Sequence, residues 1–535
     1  MNYKHFGVML DCSRNAVMKV EKLKYLIDCL RKMEYNTLEL YMEDTYELEG
    51  ELHFGYLRGR YSKSEIKEID AYAKEHGIEL IPCIQTLAHF TAIDERVYAD
   101  MIDMGDVLLV DEPKTYAFIE KIFKTLSESF TSRNVNIGMD EALMLGRGKY
   151  LDKYGACNKT EVLLRHLKKV AAIAEKYGFK THMWSDMFFR LVNNGEYYES
   201  NAPIVSEINT MIPSNVDLCY WDYYHTEKEV YDAMLSKHKQ FNCEVWFAGG
   251  AWTWNGFAPF AQFTLKSMLP AMQSVLENNI SNVLITMWGD NGAECSIFSQ
   301  LHSLYAIREF SKGNFDMDQI KMGFENLFGV KYDDFMLLDI PNMRDFNTEQ
   351  KSMQGIPEGM CKTLLYMDPF MGIFDNAVQK MGTIPYAAYA EDLRQAAGRV
   401  KEFAYIFNEL AALCEVLSIK ADLGVKTRKA YRQKDKKALE ELICEYKKVS
   451  ELLYTFHKEF YLLWHKENKT FGWEIQDARL GGLIRRINTC AYRLQAYLLG
   501  EMDEIEELEE EILSVENDDN INYNCYIKLI SRSLL

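Results

Sequence analysis

The sequence has no apolar run of about 18 residues, the length that a membrane-spanning helix requires. Its N-terminus, MNYKHFGVML, lacks the long apolar core and the small-residue cleavage site of a secretory signal peptide. The twelve cysteines form no Cys-x-x-Cys pair and show no metal-ligand spacing. These absences predict a cytoplasmic protein with no membrane partner, whose thiols are mostly buried and reduced.

Basic residues are in deficit, with 61 Lys and Arg against 80 Asp and Glu and a net charge of −19. Because no basic face compensates for this acidity, we expect no nucleic-acid partner. The apolar content of 48% is enough for large cores and excludes a disordered chain. A length of 535 residues predicts roughly two to four domains.

Proline is absent from the last 150 residues, which permits long uninterrupted helices there. Apolar residues recur every three or four positions along 393–414 and 439–463, and a shorter acidic helix is predicted through 502–512. This spacing is typical of a helical bundle. The basic run at 428–437 is interpreted as a solvated linker and helix start.

Short apolar runs alternate with amphipathic stretches in the first 310 residues. The predicted strands are 6–11, 37–42, 78–84, 135–140, 180–186, 216–222, 243–249 and 282–288. Helices are predicted at 19–33, 63–76, 115–130, 160–177, 227–240 and 260–279, with a shorter one near 187–199. This alternation predicts a (β/α)₈ TIM barrel over residues 1–312, followed by an all-α helical domain over residues 313–535.

Polar and aromatic side chains collect at the C-terminal ends of these strands, where barrel enzymes place their chemistry. In chain order the ends carry Asp11, Glu43-Asp44, His89, Asp140-Glu141, Trp184 with Asp186, Tyr220-Trp221-Asp222, Trp252 with Trp254, and Trp288 with Asp290. Six of the eight tryptophans lie between positions 184 and 288. Because aromatic faces stack on sugar rings and carboxylates bind hydroxyls, this rim predicts a carbohydrate site.

Asp140 and Glu141 form the most informative pair. Two adjacent carboxylates at the end of an apolar strand repel each other and lose hydration, which raises the pKa of one member. A general acid at neutral pH requires such a raised pKa. The competing interpretation is a helix N-cap followed by a first-turn acid, but the position at the end of the fourth predicted strand favours catalysis.

A metal centre is disfavoured by the distribution of histidines. Barrel metallohydrolases usually present His-x-His on the first strand, whereas here that strand ends in Asp11 alone and His5 lies at its other end. His182 is followed by Met and Trp, and no glycine-rich phosphate loop follows a strand. We therefore expect neither a metal nor an organic cofactor.

The segment VNIGMDEA at 135–142 resembles the His-x-Gly-Gly-Asp-Glu signature of family 20 glycoside hydrolases, the β-N-acetylhexosaminidases. Further segments resemble other strands of that family's barrel in the same order, over residues 5–310. They are GVMLDCSRN at 7–15, NTLELYMED at 36–44, IPCIQTLAHF at 81–90, HMWSDM at 182–187 and MWGDN at 287–291. The ordered series is more specific than any single motif. The α/β domain that often precedes this barrel does not appear, and a helical region follows it instead.

The resemblance implies a retaining mechanism in which the 2-acetamido oxygen of the substrate attacks the anomeric carbon. Glu141 would be the general acid and then the base, and Asp140 would orient the acetamido group and stabilise the oxazolinium. An aromatic box and a set of hydroxyl-binding side chains are also implied. The box would be Trp184, Trp221 and Trp288, and the hydroxyl ligands Asp44, His89 and Asp290.

Some positions depart from the family pattern or leave two assignments open. The family's strand-one arginine position holds Phe6, so Arg14 would have to act from the far end of that strand. On the sixth strand either Trp221 walls the acetamido group or Tyr220 bonds its carbonyl with Asp222 on the 6-hydroxyl. Strand alternation prevents both side chains from pointing the same way, and we favour Trp221.

Three further family positions differ, where Asn136 replaces histidine, Met139 replaces the second glycine, and Asp290 replaces glutamate. Trp252 or Trp254 would cover the sugar or shape the leaving-group site. These changes concern the hydroxyl contacts and leave the Asp-Glu pair intact.

The leading hypothesis is an exo-acting β-N-acetylhexosaminidase that releases terminal β-linked GlcNAc or GalNAc from small glycans or glycoconjugates. One alternative is a retaining glycosidase with an enzymatic nucleophile such as Asp11 or Asp290. Another is a catalytically silent sugar-binding protein. A helical domain of this length would also offer a face for a homodimer.

Overall fold

The computed structural model describes residues 2–200, 206–344, 359–514 and 524–533. The strands are β1 (His5–Asp11), β2 (Thr37–Tyr41), β3 (Glu79–Cys83), β4 (Ile102–Met104), β5 (Val107–Leu108), β6 (Asn134–Asn136), β7 (Lys180–Trp184), β8 (Val216–Trp221), β9 (Val245–Gly250) and β10 (Asn282–Met287). Eight of them form a closed barrel in the order β1-β10-β9-β8-β7-β6-β3-β2, and every barrel pair is parallel. The predicted (β/α)₈ barrel is confirmed.

Helices follow the barrel strands. Those of the first 311 residues are α1 (Val20–Lys32), α2 (Lys63–Glu75), α3 (Glu95–Tyr98), α4 (Pro113–Ser129), α5 (Lys149–Tyr154), α6 (Lys159–Lys176), α7 (Asp186–Arg190), α8 (Ser206–Met211), α9 (Lys228–His238), α10 (Ala261–Glu277) and α11 (Leu301–Ser311). Apolar residues on one face of each long helix are buried. In α1, for example, Leu23, Leu26, Ile27 and Leu30 turn inward at helical spacing.

The described residues after 311 are mostly helical, as predicted. Their helices are α12 (Met317–Phe328), α13 (Tyr332–Met336), α14 (Met360–Tyr366), α15 (Asp375–Met381), α16 (Tyr386–Ala397), α17 (Ala404–Lys420), α18 (Leu423–Arg432), α19 (Lys436–Glu467), α20 (Trp473–Leu499), α21 (Glu506–Glu509) and α22 (Tyr526–Ile530). Across the described ranges, no helix is both long and apolar enough to cross a bilayer.

The chain divides into two compact units whose segments interleave in sequence. The first comprises Met1–Ala251, Thr264–Met287 and Ser303–Asp316, and it contains all the barrel strands. The second comprises Trp252–Phe263, Trp288–His302 and Met317–Leu535. The segment that follows β10 therefore belongs to the helical unit.

The barrel interior holds a stack of three rings toward the N-terminal ends of its strands. The ring of Trp246 lies 4.1 Å from that of His182 and 4.6 Å from that of His5, with interplanar angles of 5° and 18°. His182 also pairs with the fully buried Glu39 across the barrel, with 2.7 Å between Nε2 and Oε1. Trp246 thus fills the barrel interior, and the large rings close it at this level.

Several local predictions were wrong. The fourth barrel strand ends at Asn136 instead of continuing to residue 140, because Gly138 and Met139 adopt positive φ angles of 69° and 70°. The helix predicted near 187–199 is only the five-residue α7, and the helix predicted through 502–512 is only the four-residue α21. The two-stranded pair β4–β5 was not predicted.

Arg428 is buried, which corrects the interpretation of the basic run as solvated at that one residue. The other basic side chains of the run are exposed, namely those of Lys429, Arg432, Lys434, Lys436 and Lys437. The guanidinium of Arg428 donates to carbonyl oxygens of Phe370, Glu507 and Leu508, and pairs with Asp375 at 3.3 Å. The side chain sits in α18, so the run begins inside a packed helix rather than in a linker. The predicted helix start is confirmed, since α19 begins at Lys436.

Candidate active site

The turn after β6 delivers two carboxylates to the C-terminal end of the barrel. Glycine suits position 138, because its φ angle is +69° and a Cβ atom there would lie 2.8 Å from the backbone oxygen of Ile84 and 2.1 Å from Oε1 of Gln85. The same Oε1 accepts the backbone N–H of Met139 at 3.2 Å. The turn is therefore pinned to the segment that follows β3, and Asp140 and Glu141 come directly after it.

Asp140 is buried between two donors from that same segment. Nε2 of Gln85 donates to its Oδ1 at 2.8 Å, and Nε2 of His89 lies 3.0 Å from its Oδ2. Burial alone would raise the pKa of Asp140, but the charge of His89 and the hydrogen bonds from His89 and Gln85 outweigh it and lower the pKa. Asp140 is therefore ionised at neutral pH.

Glu141 occupies a different environment. Its side chain is 48% exposed, and the nearest cation is Arg190, with 3.7 Å between Nη2 and Oε1. Partial loss of hydration and then the negative charge of Asp140 raise the pKa of Glu141 above its usual value. Two adjacent carboxylates thus have pKa values displaced in opposite directions, which is the arrangement expected for an acid and an anion with separate roles.

A chain of hydrogen bonds connects Asp140 to the ends of β1 and β2. Besides Asp140, Nε2 of Gln85 donates to the hydroxyl of Tyr41 at 3.0 Å, and that hydroxyl donates to Oε1 of Glu43 at 3.1 Å. Nη2 of Arg14 lies 3.5 Å from the same Oε1. The structure therefore brings Arg14 into the same polar network as Asp140.

Glu43 also has a displaced pKa in this network. Burial raises its pKa to about 7, against the opposing charge of Arg14. The side chain is only 5% exposed. The sequence places Glu43 at a strand end but does not indicate a role for it. No sequence pattern marks Gln85 or Tyr41 as site residues, because their hydrogen bonds join different strands.

Asp44 is held by a different cation. Arg58 donates to both of its carboxylate oxygens, with Nε 3.3 Å from each and Nη2 3.2 Å from Oδ1. A bidentate pair of this kind fixes the orientation of the carboxylate. The side chain of Asp44 is buried, so its hydrogen bonds are directed to the protein.

The two aromatic candidates on β8, the sixth strand of the barrel, point to opposite faces of that strand. Trp221 stacks on Tyr223 at 5.4 Å between centroids, and the guanidinium carbon of Arg190 lies 6.0 Å from its ring. Tyr220 packs instead on His238 of α9, at 5.0 Å. Since Arg190 also neighbours Glu141, Trp221 lies on the side of the carboxylates and Tyr220 faces the helices.

Asp222 organises its own loop. Its Oδ2 accepts the hydroxyl of Tyr220 at 2.6 Å and lies 2.8 Å from Nδ1 of His225, and its Oδ1 accepts the backbone N–H of Tyr224 at 3.0 Å. The side chain is fully buried. Trp184, the last residue of β7, is likewise buried, at 1% exposure.

The other four candidates belong to the second unit. Trp252 and Trp254 stack with their centroids 4.3 Å apart, and both are buried. The carbonyl of Trp288 accepts the hydroxyl of Thr253 at 2.8 Å, and Asp290 is exposed. Trp288 and Asp290 directly follow β10 in the chain.

The segment after β10 is held by charged side chains of the helical unit. Nζ of Lys362 donates to the carbonyl of Asn291 at 3.0 Å and lies 3.0 Å from Oε1 of Glu294. Nη1 of Arg479 donates to the same carbonyl at 2.8 Å and to the same Oε1 at 2.9 Å. Lys362 and Glu294 are almost fully buried, so this segment is fixed by interior ion pairs.

Acidic side chains near the barrel rim are paired with cationic or imidazole groups, and two of the cations are shared. These pairs include Asp140–His89, Glu43–Arg14, Asp44–Arg58 and Asp222–His225. Arg14 also lies near Asp11, and Arg190 lies near both Asp186 and Glu141. The pairs of His89, Arg58 and His225 each join one acid to one partner. Among the described residues, no group of three or more His, Cys, Asp or Glu side chains is arranged to hold a metal ion.

Comparison with known proteins gives two family matches along the chain. The model described as "Glycosyl hydrolase family 20, catalytic domain" matches residues 3–246, and "Glycoside Hydrolase 20C C-terminal domain" matches residues 333–526. Human hexosaminidase D is 25% identical over 59% of this chain and 68% of its own length.

Two bacterial proteins are similar over smaller shares of their length. A beta-hexosaminidase of Vibrio furnissii is 28% identical over 26% of this chain and 29% of its own length. A beta-hexosaminidase of Akkermansia muciniphila is 25% identical over 41% of this chain and 54% of its own length. Among solved structures, the beta-N-acetylhexosaminidase of Bacteroides fragilis has a TM-score of 0.47 at 20% identity, covering 61% of this chain and 70% of that one.

Proposed function

The chain belongs to glycoside hydrolase family 20, whose models match its barrel and its helical region, and we propose that it is an exo-acting β-N-acetylhexosaminidase. Its substrates are terminal β-linked GlcNAc or GalNAc residues. The observation that carries the proposal is the Asp140–Glu141 pair, in which one pKa is lowered and the other raised. This pair therefore places a carboxylate that favours its ionised form beside one that keeps its proton to a higher pH than usual.

In the first step the carbonyl oxygen of the 2-acetamido group attacks the anomeric carbon and the glycosidic C–O bond breaks. Glu141 gives its proton to the departing oxygen, which leaves as an alcohol. Asp140 accepts the acetamido N–H and balances the positive charge of the oxazolinium that forms. His89 and Gln85 keep Asp140 ionised and oriented for this role.

In the second step a water molecule opens the oxazolinium at the anomeric carbon. Glu141, now a carboxylate, accepts the proton of that water and is restored to its acid form. The two displacements occur on opposite faces, so the configuration at the anomeric carbon is retained. The half-exposed position of Glu141 suits both a leaving group and an incoming water.

Two buried aromatic side chains are proposed to wall the acetamido methyl. Trp184 ends β7 and Trp221 ends β8, and Trp221 lies beside Arg190, the neighbour of Glu141. Trp288 is proposed as the third wall from the sequence resemblance alone. A methyl group enclosed by indole faces gains from apolar burial, which favours 2-acetamido sugars over plain ones.

Hydroxyl recognition is proposed for the polar residues that the sequence resemblance implies. Arg14 belongs to the network of Asp140, and Asp290 is exposed after β10. His89, Asp44 and Asp222 also have protein partners, which would fix the orientation in which they meet a hydroxyl. A cytoplasmic location and a homodimer remain predictions from the sequence.

The proposal is tested by hydrolysis of nitrophenyl β-GlcNAc and nitrophenyl β-glucoside, each with and without a thiazoline analogue of the oxazoline. We expect cleavage of the acetamido sugar only, and inhibition by the thiazoline. Equal cleavage of the glucoside, indifferent to the thiazoline, would assign the reaction to an enzymatic carboxylate nucleophile. Binding of GlcNAc without turnover of any aryl hexosaminide would instead indicate a sugar-binding protein.

A further inference from the structure

Glu141 is fixed through its backbone rather than by burial of its side chain. Its φ angle is +50°, in the left-handed region that a residue with a Cβ adopts only when its surroundings hold it there. The backbone N–H donates to Oδ2 of Asp186 at 3.1 Å. Asp186 is fully buried at the start of α7, so it provides a rigid anchor.

The same oxygen of Asp186 also orients an arginine. Nε of Arg190 donates to Oδ2 of Asp186 at 3.0 Å, and its Nη1 donates to the carbonyl of Gly195 at 3.0 Å. Its guanidinium carbon lies 5.8 Å from the ring of Tyr197 and 6.0 Å from that of Trp221. Hydrogen bonds and aromatic rings therefore hold this cation in place.

The second terminal nitrogen of the guanidinium, Nη2, lies on the side of Glu141. Nη2 of Arg190 lies 3.7 Å from Oε1 of Glu141, which is too long for a hydrogen bond but close enough for a charge interaction. We propose that Arg190, anchored by Asp186, is a positioning residue for Glu141 that orients its side chain and favours its ionised form. This inference rests on the proposed role of Glu141 as acid and base.

The other charged groups around Glu141 come from four segments, and they include Asp186, whose own pKa is raised to about 7, mainly by burial. Asp140 raises the pKa of Glu141, while His89 after β3, Arg14 after β1 and Arg190 on α7 lower it. Burial and Asp140 prevail, so the pKa of Glu141 is raised overall, which is the direction that proton donation in the first step requires. The charge of Arg190 opposes this rise in the pKa of Glu141. It therefore favours the carboxylate form, which acts as the base in the second step.

Arg190→Gln removes this cation while keeping a side chain that hydrogen bonds. Because the pKa of Glu141 should rise, we expect the alkaline limb of kcat/KM on a β-GlcNAc disaccharide, whose leaving alcohol must be protonated, to move up by about half a pH unit. Loss of orientation should lower kcat roughly tenfold while KM stays within about twofold. Arg190→Lys keeps the positive charge but loses the planar guanidinium. The alkaline limb of this variant should therefore stay near that of the wild type, and its kcat should lie between those of Arg190→Gln and the wild type.

Arg165→Gln is the matched control. Arg165 also pairs with an aspartate, Asp111, at 2.7 Å in the same unit, but it lies outside the proposed site. Its variant should keep the wild-type pH profile. If Arg190→Gln leaves the alkaline limb unmoved, the inference is overturned.

Two further outcomes keep the test decisive. If Arg190→Gln fails to fold, judged by circular dichroism, the Arg190→Lys variant decides, and an unchanged kcat in that variant overturns the inference. Thiazoline-sensitive hydrolysis by the wild type is measured first. If the wild type shows no such hydrolysis, the proposed function itself is overturned. If the wild type shows it but the alkaline limb of Arg190→Gln does not move, only the role of Arg190 is overturned.

Discussion

Nε2 of His89 lies 3.0 Å from Oδ2 of Asp140, and both side chains are largely buried. Burial would lower the pKa of His89, but the charge and hydrogen bond of Asp140 raise it to about 10. The stabilisation from His89 is therefore complete below its ordinary pKa of 6.5 and is lost as the pH rises through about 10. That from Asp140 is present above its ordinary pKa of 3.8 and is lost as the pH falls through its lower folded value.

Replacing His89 with Gln should raise the pKa of Asp140, because the charge that holds it down is removed. We expect the acid limb of kcat/KM to move to higher pH and kcat to fall at least about tenfold. His457→Gln is the control, since His457 pairs with Asp477 in the other unit. Identical acid limbs in the two variants would contradict the assignment of His89 as the partner that keeps Asp140 ionised.

Asp140→Asn should lower turnover of nitrophenyl β-GlcNAc by about 10²–10⁴-fold while the fold is retained, and Glu141→Gln should cause a loss of that size on a β-GlcNAc disaccharide, whose leaving alcohol must be protonated. The loss in Glu141→Gln should shrink for aryl leaving groups of low pKa, because these depart without protonation. The loss in Asp140→Asn should not depend on the leaving group in this way. Near-normal activity in either variant would remove the role assigned to that residue.

Trp221 and Tyr220 offer a matched pair on one strand. Trp221→Phe should raise KM for the acetamido sugar about tenfold, because part of the wall around its methyl group is lost. Tyr220→Phe should leave KM unchanged and lower the free energy of unfolding by about 1–2 kcal/mol, because Asp222 loses a buried hydrogen bond. The opposite pattern would show that Tyr220, and not Trp221, faces the sugar.

Lys362→Met should destabilise the helical unit. Removing a buried partner of Glu294 leaves that carboxylate with Arg479 alone, at an expected cost of about 3 kcal/mol in the free energy of unfolding. Lys448→Met is the control, since Lys448 forms an exposed pair with Glu451 and should change stability by less than about 1 kcal/mol. Equal denaturant midpoints for the two variants would contradict the structural importance of the Lys362–Glu294 pair.

The barrel was predictable because its strands are short apolar runs bounded by turn residues, and the order of the runs fixes the parallel topology. The predicted and observed starts of β2, β7, β8 and β10 coincide at residues 37, 180, 216 and 282. The helix predicted near 187–199 is much shorter in the structure. Its apolar residues, Phe188 and Phe189 among them, are buried within about one turn, and further along the chain Gly195 has a positive φ angle that is not helical.

The candidate site was predictable only in part. Asp140 and Glu141 were found because adjacent carboxylates after an apolar strand are unusual in themselves. Gln85 and Arg190 were missed because each acts through a contact with a residue about 50 positions away in the chain. Periodicity encodes which face of an element is buried, but it does not encode which side chains meet across the barrel rim.

The closure of β1 on β10 has a consequence for the biosynthesis of the protein. β1 pairs with β2 on one side, but its other edge gains a partner only when residues 282–287 have been made. At typical translation rates this interval lasts on the order of tens of seconds. During that time the free edge of β1, a strand with apolar side chains, presents unpaired backbone N–H and C=O groups to other chains. The first strand is therefore the segment most exposed to mispairing on the ribosome, and any translational pause before residue 282 lengthens that exposure.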